Sequence, residues 1–196
     1  SAVMGKTKSS LEQRSMRYLL TSLLALVALQ HPLSAGDIPR VVVYITIEDL
    51  RGDYLQQLSP LFSKDGLGRM LQEGKVYPQV RFPLAELDRA SATATLHTGA
   101  YPQIHGVERS TLWDTKQHSW RPIFHDPSVI GSYTRDTYSP KALLVNTLGD
   151  RIKEASSGAG LVYAVASDAE AAIASAGWFA NGAFWLDTKI ASWSSS

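Results

Sequence analysis

Phe82 to Val107 reads FPLAELDRASATATLHTGAYPQIHGV, and this stretch carries the most information about the fold. Its middle part, Ala90 to Thr98, consists mostly of small residues that are compatible with a helix. Gly99 follows at the position where many helices end in a left-handed residue, which glycine adopts without a Cβ clash. The sequence therefore predicts a helix over 90–98 that ends at Gly99 and leads into the turn TGAYPQIHG at 98–106.

Two apolar runs predict buried strands. Arg40 to Ile47 (RVVVYITI) and Leu161 to Ala166 (LVYAVA) are rich in apolar residues without alternation, which is typical of strands covered on both faces in a parallel sheet. Val76 to Phe82 is a further candidate strand. Short helices are predicted at 53–61 and 68–74. Because helices and strands alternate, we expect an α/β domain with a mainly parallel sheet flanked by helices.

A longer helix is predicted from 140 to 156. Ser139 is suited to be its N-cap, and Pro140 is suited to its first turn. Three residues one turn apart form a stripe that should face the core: Leu144, Leu148 and Ile152. Residues 108–138 show no sustained period and are expected to form long irregular connections.

The composition is that of an ordinary globular protein. The chain has 196 residues, 44% of them apolar and 19% charged, which is enough for one α/β domain with its own core. Its net charge of +1 gives no reason to expect a nucleic acid or a membrane surface as a partner. The chain contains no cysteine, which excludes a thiolate metal site, a cysteine nucleophile and a disulfide.

Residues 1–35 have the layout of upstream residues followed by a secretory signal peptide. Residues 16–17 provide a basic start, 18–29 are a continuous apolar run, and 32–35 end in small residues. The run is too short for a permanent membrane anchor. A buried helix is the alternative, but the apolar face is continuous rather than periodic. We therefore expect an exported protein, periplasmic or extracellular, whose mature part is 36–196.

The turn at 98–106 resembles the T-G-x-x-P-x-x-H-G motif of the alkaline phosphatase superfamily. This superfamily includes phosphomonoesterases, type I phosphodiesterases/nucleotide pyrophosphatases and sulfatases. Ala171 to Asp187 is similar to the A-G-H-x-A-x-x-A-[FY]-W-x-D run of phosphate-irrepressible bacterial alkaline phosphatases, which selects the phosphomonoesterase branch. The resemblance covers about Val41 to Ser196. It implies that 36–196 is the N-terminal portion of an alkaline phosphatase-like α/β domain, truncated before the second half of that domain.

The resemblance places Arg89 where family members carry their nucleophile, ten residues before the glycine of the T-G pair. Phosphatases and phosphodiesterases have a threonine there, and sulfatases have a modified cysteine or serine. A guanidinium cannot attack phosphorus in their place. Ser91, Thr93 and Thr95 carry hydroxyls nearby, but using one requires a register slip in an otherwise gap-free match. Ser91 also lies about 200° round the helix axis from position 89.

Glu48 and Asp49 stand where the resemblance implies a zinc ligand. The first strand of the family ends in a zinc-binding Asp, with an Arg three residues later and then x-Asp-Tyr-Leu, and here the strand 40–47 runs into EDLRGDYL. A glutamate moves the ligand oxygen by one methylene but need not abolish binding. A solvated acidic turn is the alternative. The family takes its other Asp and His ligands from the second half, so zinc is implied but absent or incomplete in this chain.

Further columns of the resemblance concern phosphate contacts. Family members have an Asn shortly after the H-G, where this chain has Ser110 or Thr111, and a Lys-x-Arg pair, where this chain has Asp168 and Glu170. The neutral nucleophile has become positive, and the two positive residues have become negative. We expect Arg89 to form ion pairs with these carboxylates and with Glu48, at the position of the first zinc ligand. These ion pairs would take the place of metal and phosphate. Independent surface charges are the alternative.

Two functions remain open on the sequence alone. The first is an exported superfamily member that is catalytically degenerate or a fragment, keeping the fold without the chemistry. The second is an active metal-dependent phosphoric-ester hydrolase, a phosphomonoesterase or phosphodiesterase, whose remaining ligands lie outside this chain. A phosphate ester would be its substrate, and a second polypeptide could complete the domain. His97 and His105 are expected to be structural residues rather than metal ligands.

Overall fold

The chain divides into two units, Ser1–Pro78 and Gln79–Ser196. The signal peptide predicted over 1–35, and with it the domain boundary at residue 36, lies outside the described residues. The computed structural model describes residues 39–82, 84, 88–132 and 134–196.

The described residues of the first unit form two short α-helices with a 3-10 turn between them. Helix α1 spans Gly52–Gln57, the 3-10 turn spans Ser59–Leu61, and helix α2 spans Leu67–Glu73. Pro60 is the second residue of the 3-10 turn, and Gly74 is the C-cap of α2. Both features agree with the helices predicted at 53–61 and 68–74.

Arg40 to Ile47 forms no strand, so that sequence prediction is wrong for this structure. Its apolar side chains are exposed, from 46% for Tyr44 to 76% for Val41. A buried parallel strand needs hydrogen-bonded neighbours and covered faces. The described residues of the first unit contain no strand with which it could pair. Val76 to Phe82, the other candidate, also forms no strand.

Helix α3, Arg89–Thr98, occupies the predicted position. Asp88 is its N-cap: the carboxylate accepts the N–H of Ser91 at 3.0 Å, and the hydroxyl of Ser91 accepts the N–H of Asp88 at 3.0 Å. This capping box satisfies donors of the first turn. Gly99 adopts a φ of 67° and ends the helix, as predicted. Helix α4, Pro102–His105, follows and ends at a second left-handed glycine.

A β-hairpin replaces part of the irregular connection expected at 108–138. Strand β1, Thr111–Asp114, pairs antiparallel with strand β2, Ser119–Pro122. The carboxylate of Asp114 accepts two backbone N–H groups of the turn, at 2.8 and 3.0 Å. Trp113 and Trp120 are cross-strand partners with ring centroids 5.5 Å apart. The hairpin escapes a periodicity search because each strand has only four residues and most of their side chains are exposed.

Helix α5 spans Leu148–Ala155 and is shorter than the helix predicted from 140 to 156. Ser139 does act as an N-cap, but it begins only the 3-10 turn Pro140–Ala142. Thr147 then starts α5 with a second capping box, in which its side chain and that of Asp150 each accept the other's N–H. The predicted helix is therefore split, because Thr147 is a better N-cap than helix-interior residue.

A three-stranded sheet forms the centre of the second unit. Strand β3, Tyr163–Ala166, pairs parallel with β4, Gly182–Asp187, and β4 pairs antiparallel with β5, Ser192–Ser195. Helix α6, Ala169–Ala176, connects β3 to β4. This β–α–β crossover is typical of the predicted α/β class, and β3 lies within the predicted strand at 161–166.

The core lies where α6 packs on one face of the sheet and α3 packs on α6. Alanines at the helix contacts are fully buried and leave room for the two backbones to approach closely: Ala90, Ala94, Ala172 and Ala174. The opposite face of the sheet is exposed and apolar, and it presents Tyr163, Val165, Phe184, Leu186 and Trp193.

Candidate functional site

The N-termini of α3 and α6 bring together two of the residues predicted from the sequence. Arg89 is the first residue of α3, and Asp168 is the N-cap of α6, where its carboxylate accepts the N–H of Ala171 at 3.0 Å. Arg89 Nη1 lies 3.4 Å from Asp168 Oδ2. The side chains are 48% and 26% exposed, so solvent screens this ion pair, which contributes less than about 1 kcal/mol to stability.

Asp88 ties the start of α3 to Ser110, which follows the H-G turn. Its Oδ1 accepts the N–H of Ser91, and its Oδ2 accepts the N–H of Ser110. The hydroxyl oxygen of Ser110 in turn accepts the N–H of Ala90 at 3.4 Å. Burial would raise the pKa of Asp88, but hydrogen bonds from Ser91 and Ser110 outweigh burial and lower that pKa. Asp88 is therefore held as a carboxylate.

Glu170 lies half-buried in the first turn of α6 and completes the charged group. Burial raises its pKa, a hydrogen bond with the Ser110 side chain lowers it, the carboxylates of Asp168 and Asp88 raise it, and Arg89 lowers it. The net shift of the Glu170 pKa is upward. The structure thus places the predicted residues Arg89, Ser110, Asp168 and Glu170 in one electrostatic group.

Sequence reasoning missed Asp88 as a member of this group. The available signal was local: an aspartate directly before a run of small helix formers, with a serine three positions later, is typical of a capped helix start. We call the five residues Asp88, Arg89, Ser110, Asp168 and Glu170 the Arg89 cluster.

The Arg89 cluster contains three carboxyl groups and one guanidinium. A guanidinium stays protonated in proteins, so Arg89 provides no nucleophilic lone pair. Two hydroxyls of α3 are also engaged: that of Ser91 lies 3.1 Å from Asp88 Oδ1, and that of Thr95 donates to the carbonyl of Ser91 at 2.7 Å. This arrangement can hold an internal ion pair, and its carboxylates would repel a phosphate dianion.

His105 is buried and hydrogen-bonded in a neutral form. Its Nδ1 accepts the N–H of Val107 at 3.1 Å, so Nε2 carries the proton. Nε2 lies 3.0 Å from Thr95 Oγ1, which in turn donates to the carbonyl of Ser91. Each donor in this series of three hydrogen bonds therefore has one acceptor. The arrangement fastens the H-G turn to α3 and supports the structural role predicted for His105.

Acidification should destabilise the second unit through His105. Burial lowers its pKa from the ordinary value of 6.5, so the folded state disfavours the imidazolium. A depressed histidine pKa contributes stability that is present above pH 6.5 and is lost as pH falls below it. We expect the free energy of unfolding in urea to fall between about pH 8 and pH 5.

A His105→Gln variant isolates this contribution, because all other titrating groups are shared with the native chain. Its unfolding free energy should depend less steeply on pH than that of the native chain in the same interval. Equal pH slopes in the two proteins would contradict the neutral, hydrogen-bonded histidine.

Glu48 and Asp49 lie in an exposed turn of the first unit, and Asp49 adopts a φ of 56°. Throughout residues 39–82, 84, 88–132 and 134–196, no three His, Cys, Asp or Glu side chains are grouped so that they could hold a metal ion. Protein zinc sites use three or four side-chain ligands. Glu48 and Asp49 therefore do not fit a zinc ion by themselves.

A buried carboxylate, Asp150, was also absent from the sequence-based site. It is fully buried, and its two oxygens accept the N–H groups of Thr147 and Phe179, each at 2.8 Å. Gly177, two residues before Phe179, adopts φ 75° and ψ −159°. Asp150 thereby fixes the loop between α6 and β4 onto the start of α5. The T-x-x-D capping pattern signals the N-cap contact but not the contact across 29 residues.

The longest described helix, Arg89–Thr98, has 10 residues. None of the helices in the described ranges is long and apolar enough to cross a bilayer.

Curated relatives match most of this chain. A protein named calcium-transporting ATPase from Myroides odoratus is 30% identical over 161 residues, or 81% of this chain. Alkaline phosphatase PhoV from Synechococcus elongatus is also 30% identical over 161 residues, with the same share of this chain. The chain spans 29% of the length of each of these relatives. No protein-family model matches the chain.

Solved structures of the alkaline phosphatase PafA share the fold. The wild-type structure matches with a TM-score of 0.69 and 26% identity, covering 74% of this chain and 29% of PafA. A PafA variant in which a threonine, an asparagine, a lysine and an arginine are substituted gives the same values. The predicted α/β fold class is confirmed by this match. On its motifs, its fold and these relatives, the chain belongs to the alkaline phosphatase superfamily.

Proposed function

We propose that this chain is a catalytically degenerate part of an exported alkaline phosphatase-superfamily protein. The observation that carries the proposal is the ion pair between Arg89 and Asp168 at 3.4 Å. By the resemblance, Arg89 stands at the position of the nucleophile, and Asp168 stands at the position of the lysine in the Lys-x-Arg pair that contacts phosphate. With this ion pair, the position of the nucleophile has no attacking group and Asp168 provides no cation to bind phosphate.

The spacing of the substituted residues in the PafA variant supports the positions that the resemblance assigns to Arg89, Ser110, Asp168 and Glu170. In that protein the threonine and the asparagine are 21 positions apart, and the lysine and the arginine are two positions apart. Arg89 and Ser110 are likewise 21 positions apart, and Asp168 and Glu170 are two apart. The asparagine and the lysine are 62 positions apart in PafA. Ser110 and Asp168 are 58 positions apart here, a difference that a surface loop can absorb.

The charges of the Arg89 cluster fit a loss of catalysis. A superfamily nucleophile is a hydroxyl that loses its proton easily, and Arg89 has no such group. Arg89 also occupies the first turn of a helix, where the helix dipole favours negative rather than positive charge. The carboxylates of Asp88, Asp168 and Glu170 compensate that charge. Family members have a Lys-x-Arg pair where this chain has Asp168 and Glu170. Two acids in place of two cations remove the attraction for a phosphate dianion.

An active phosphoric-ester hydrolase is the second candidate. One observation favours it: the chain spans only 28–29% of relatives that are named alkaline phosphatases, so further ligands could come from outside these residues. In that case Glu48 and Asp49 would contribute to a zinc site with Asp and His residues supplied elsewhere. Zinc would polarise the phosphoryl oxygens, and a nucleophile other than Arg89 would also be required.

Export and domain organisation belong to the same proposal. The apolar run at 18–29 and the small residues at 32–35 support cleavage of a signal peptide and a mature part that begins at residue 36. The mature part would be the N-terminal portion of the superfamily domain, delivered to the periplasm or the cell exterior. A second polypeptide that completes the domain would be its partner.

Zinc content and hydrolysis of p-nitrophenyl phosphate test the proposal. The native chain, equilibrated with zinc and then desalted, should retain no stoichiometric zinc and show no turnover above the zinc-containing buffer. Glu154→Ala, which changes an exposed carboxylate on α5, serves as the matched control for Glu48→Ala. Stoichiometric zinc together with turnover that Glu48→Ala abolishes and Glu154→Ala preserves would refute degeneracy and favour the hydrolase.

A further inference from the structure

A cleft of about 510 Å³ lies in the second unit, apart from the Arg89 cluster. It opens between the β1–β2 hairpin, residues 123–127 and the segment around the 3-10 turn Pro140–Ala142. This volume is in the range of pockets that bind small molecules. None of the five cluster residues lines it.

The apolar lining of the cleft includes Leu112, Ile123 and Leu144 beside the smaller Pro127 and Ala142. Ile123 is buried, while Leu112 and Leu144 are 38% and 71% exposed. An exposed leucine beside a cleft leaves apolar area that a ligand could remove from water. The cleft therefore favours a ligand with an apolar body of modest size.

The two carboxylates of the cleft are already engaged. Asp126 accepts the N–H and the hydroxyl of Ser128, at 3.0 and 2.6 Å, and the hydroxyl of Ser139 at 2.7 Å. These hydrogen bonds lower the pKa of Asp126 to about 2. Asp114 accepts two N–H groups of the hairpin turn, and its second oxygen lies 3.6 Å from Arg121 Nε. Both carboxylates therefore already have hydrogen-bond partners within the protein.

The cationic groups of the cleft are less engaged. Lys141 is exposed, and within the described ranges its ammonium has only a Coulombic interaction with Asp126. The Arg121 guanidinium donates from Nη1 to the carbonyl of His125 at 3.4 Å and faces Asp114 through Nε. An ammonium and part of a guanidinium thus remain to bind an acceptor on a ligand.

From this arrangement we propose that the cleft binds a small organic monoanion, a carboxylate with an apolar body. The carboxylate would contact Lys141 and Arg121, and the apolar body would lie against Leu112, Ile123 and Leu144. Inorganic phosphate is disfavoured because it has no apolar body to lie against the apolar lining. A purely apolar ligand would make no ionic contact with the Lys141 ammonium.

Fluorine NMR with 4-fluorobenzoate as the probe tests this site. The native chain should bind 4-fluorobenzoate, and the neutral 4-fluorobenzamide should bind at least about tenfold more weakly, because a hydrogen bond to a charged group is lost. Lys141→Gln should weaken benzoate binding by about tenfold without changing benzamide binding. Lys64→Gln, which changes an exposed lysine of the first unit, should leave both affinities unchanged.

Leu144→Ala distinguishes the cleft from general apolar adsorption. Because Leu144 is largely exposed, the substitution should not unfold the chain, and it should weaken binding of both probes. The proposal is wrong if benzoate does not bind, if benzamide binds as tightly as benzoate, or if Lys141→Gln binds benzoate like the native chain. It is equally wrong if Leu144→Ala leaves both affinities unchanged.

Discussion

Replacing Asp150 with alanine is expected to lower the free energy of unfolding by about 2–4 kcal/mol. Asp150 is fully buried and has hydrogen bonds to the backbone of Thr147 and of Phe179. Alanine would leave both N–H groups without their acceptor, and each buried, unsatisfied donor costs about 1–3 kcal/mol. Stabilities of whole domains are only about 5–15 kcal/mol, so the effect would be large.

Two further variants on α5 separate the buried hydrogen bonds from charge alone. Asp150→Asn keeps one acceptor oxygen and should cost less than Asp150→Ala. Glu154→Ala removes only the ion pair with Arg151, whose side chains are 63% and 64% exposed, and should change stability by at most about 0.5 kcal/mol. Urea unfolding at neutral pH measures all three. An Asp150→Ala chain as stable as Glu154→Ala would show that the loop after α6 does not depend on this carboxylate.

Replacing Gly177 with alanine is expected to cost about 3 kcal/mol or more. Its φ of 75° with ψ of −159° lies in a region that is essentially restricted to glycine. A Cβ at this position would also overlap Thr147 Oγ1 and Asp150 Oδ2, both of which are fixed in the capping box of α5. The backbone of the α6–β4 loop and the buried acid would therefore both have to move.

Gly158→Ala is the matched control for Gly177→Ala. Gly158 also has a positive φ, 83°, but an added Cβ there meets no heavy atom within 4 Å. It should cost about 1–2 kcal/mol, the ordinary strain of a left-handed residue. Thermal or urea unfolding of the two variants measures the difference. Equal losses would mean that the overlap with Thr147 and Asp150 is relieved at no cost.

The sequence predicted the elements whose signals are local. Helix α3 and its end at Gly99 follow from small residues and a glycine, and β3 follows from a short apolar run. The strand at 40–47 was predicted wrongly because a strand is defined by its neighbours as well as by its composition. The helix from 140 was too long because the N-cap at Thr147 competes with continuation of a helix. Propensity alone does not resolve that competition.

The candidate site shows the same division. The resemblance picked out Arg89, Ser110, Asp168 and Glu170, and the structure brings them together at the N-termini of α3 and α6. Asp88 escaped because its hydrogen bond to Ser110 spans 22 residues and no motif records it. Contacts of this kind depend on packing between elements, which sequence spacing does not encode.

Equilibrium binding of inorganic phosphate tests most directly whether the Arg89 cluster has replaced a phosphate site. Phosphorus NMR or calorimetry, with zinc present, should detect no binding to the native chain below about 1 mM. The double variant Asp168→Lys with Glu170→Arg, which restores two cations, should bind phosphate more tightly than the native chain. Submillimolar binding by the native chain, or binding that the double variant weakens, would contradict the loss of the phosphate site.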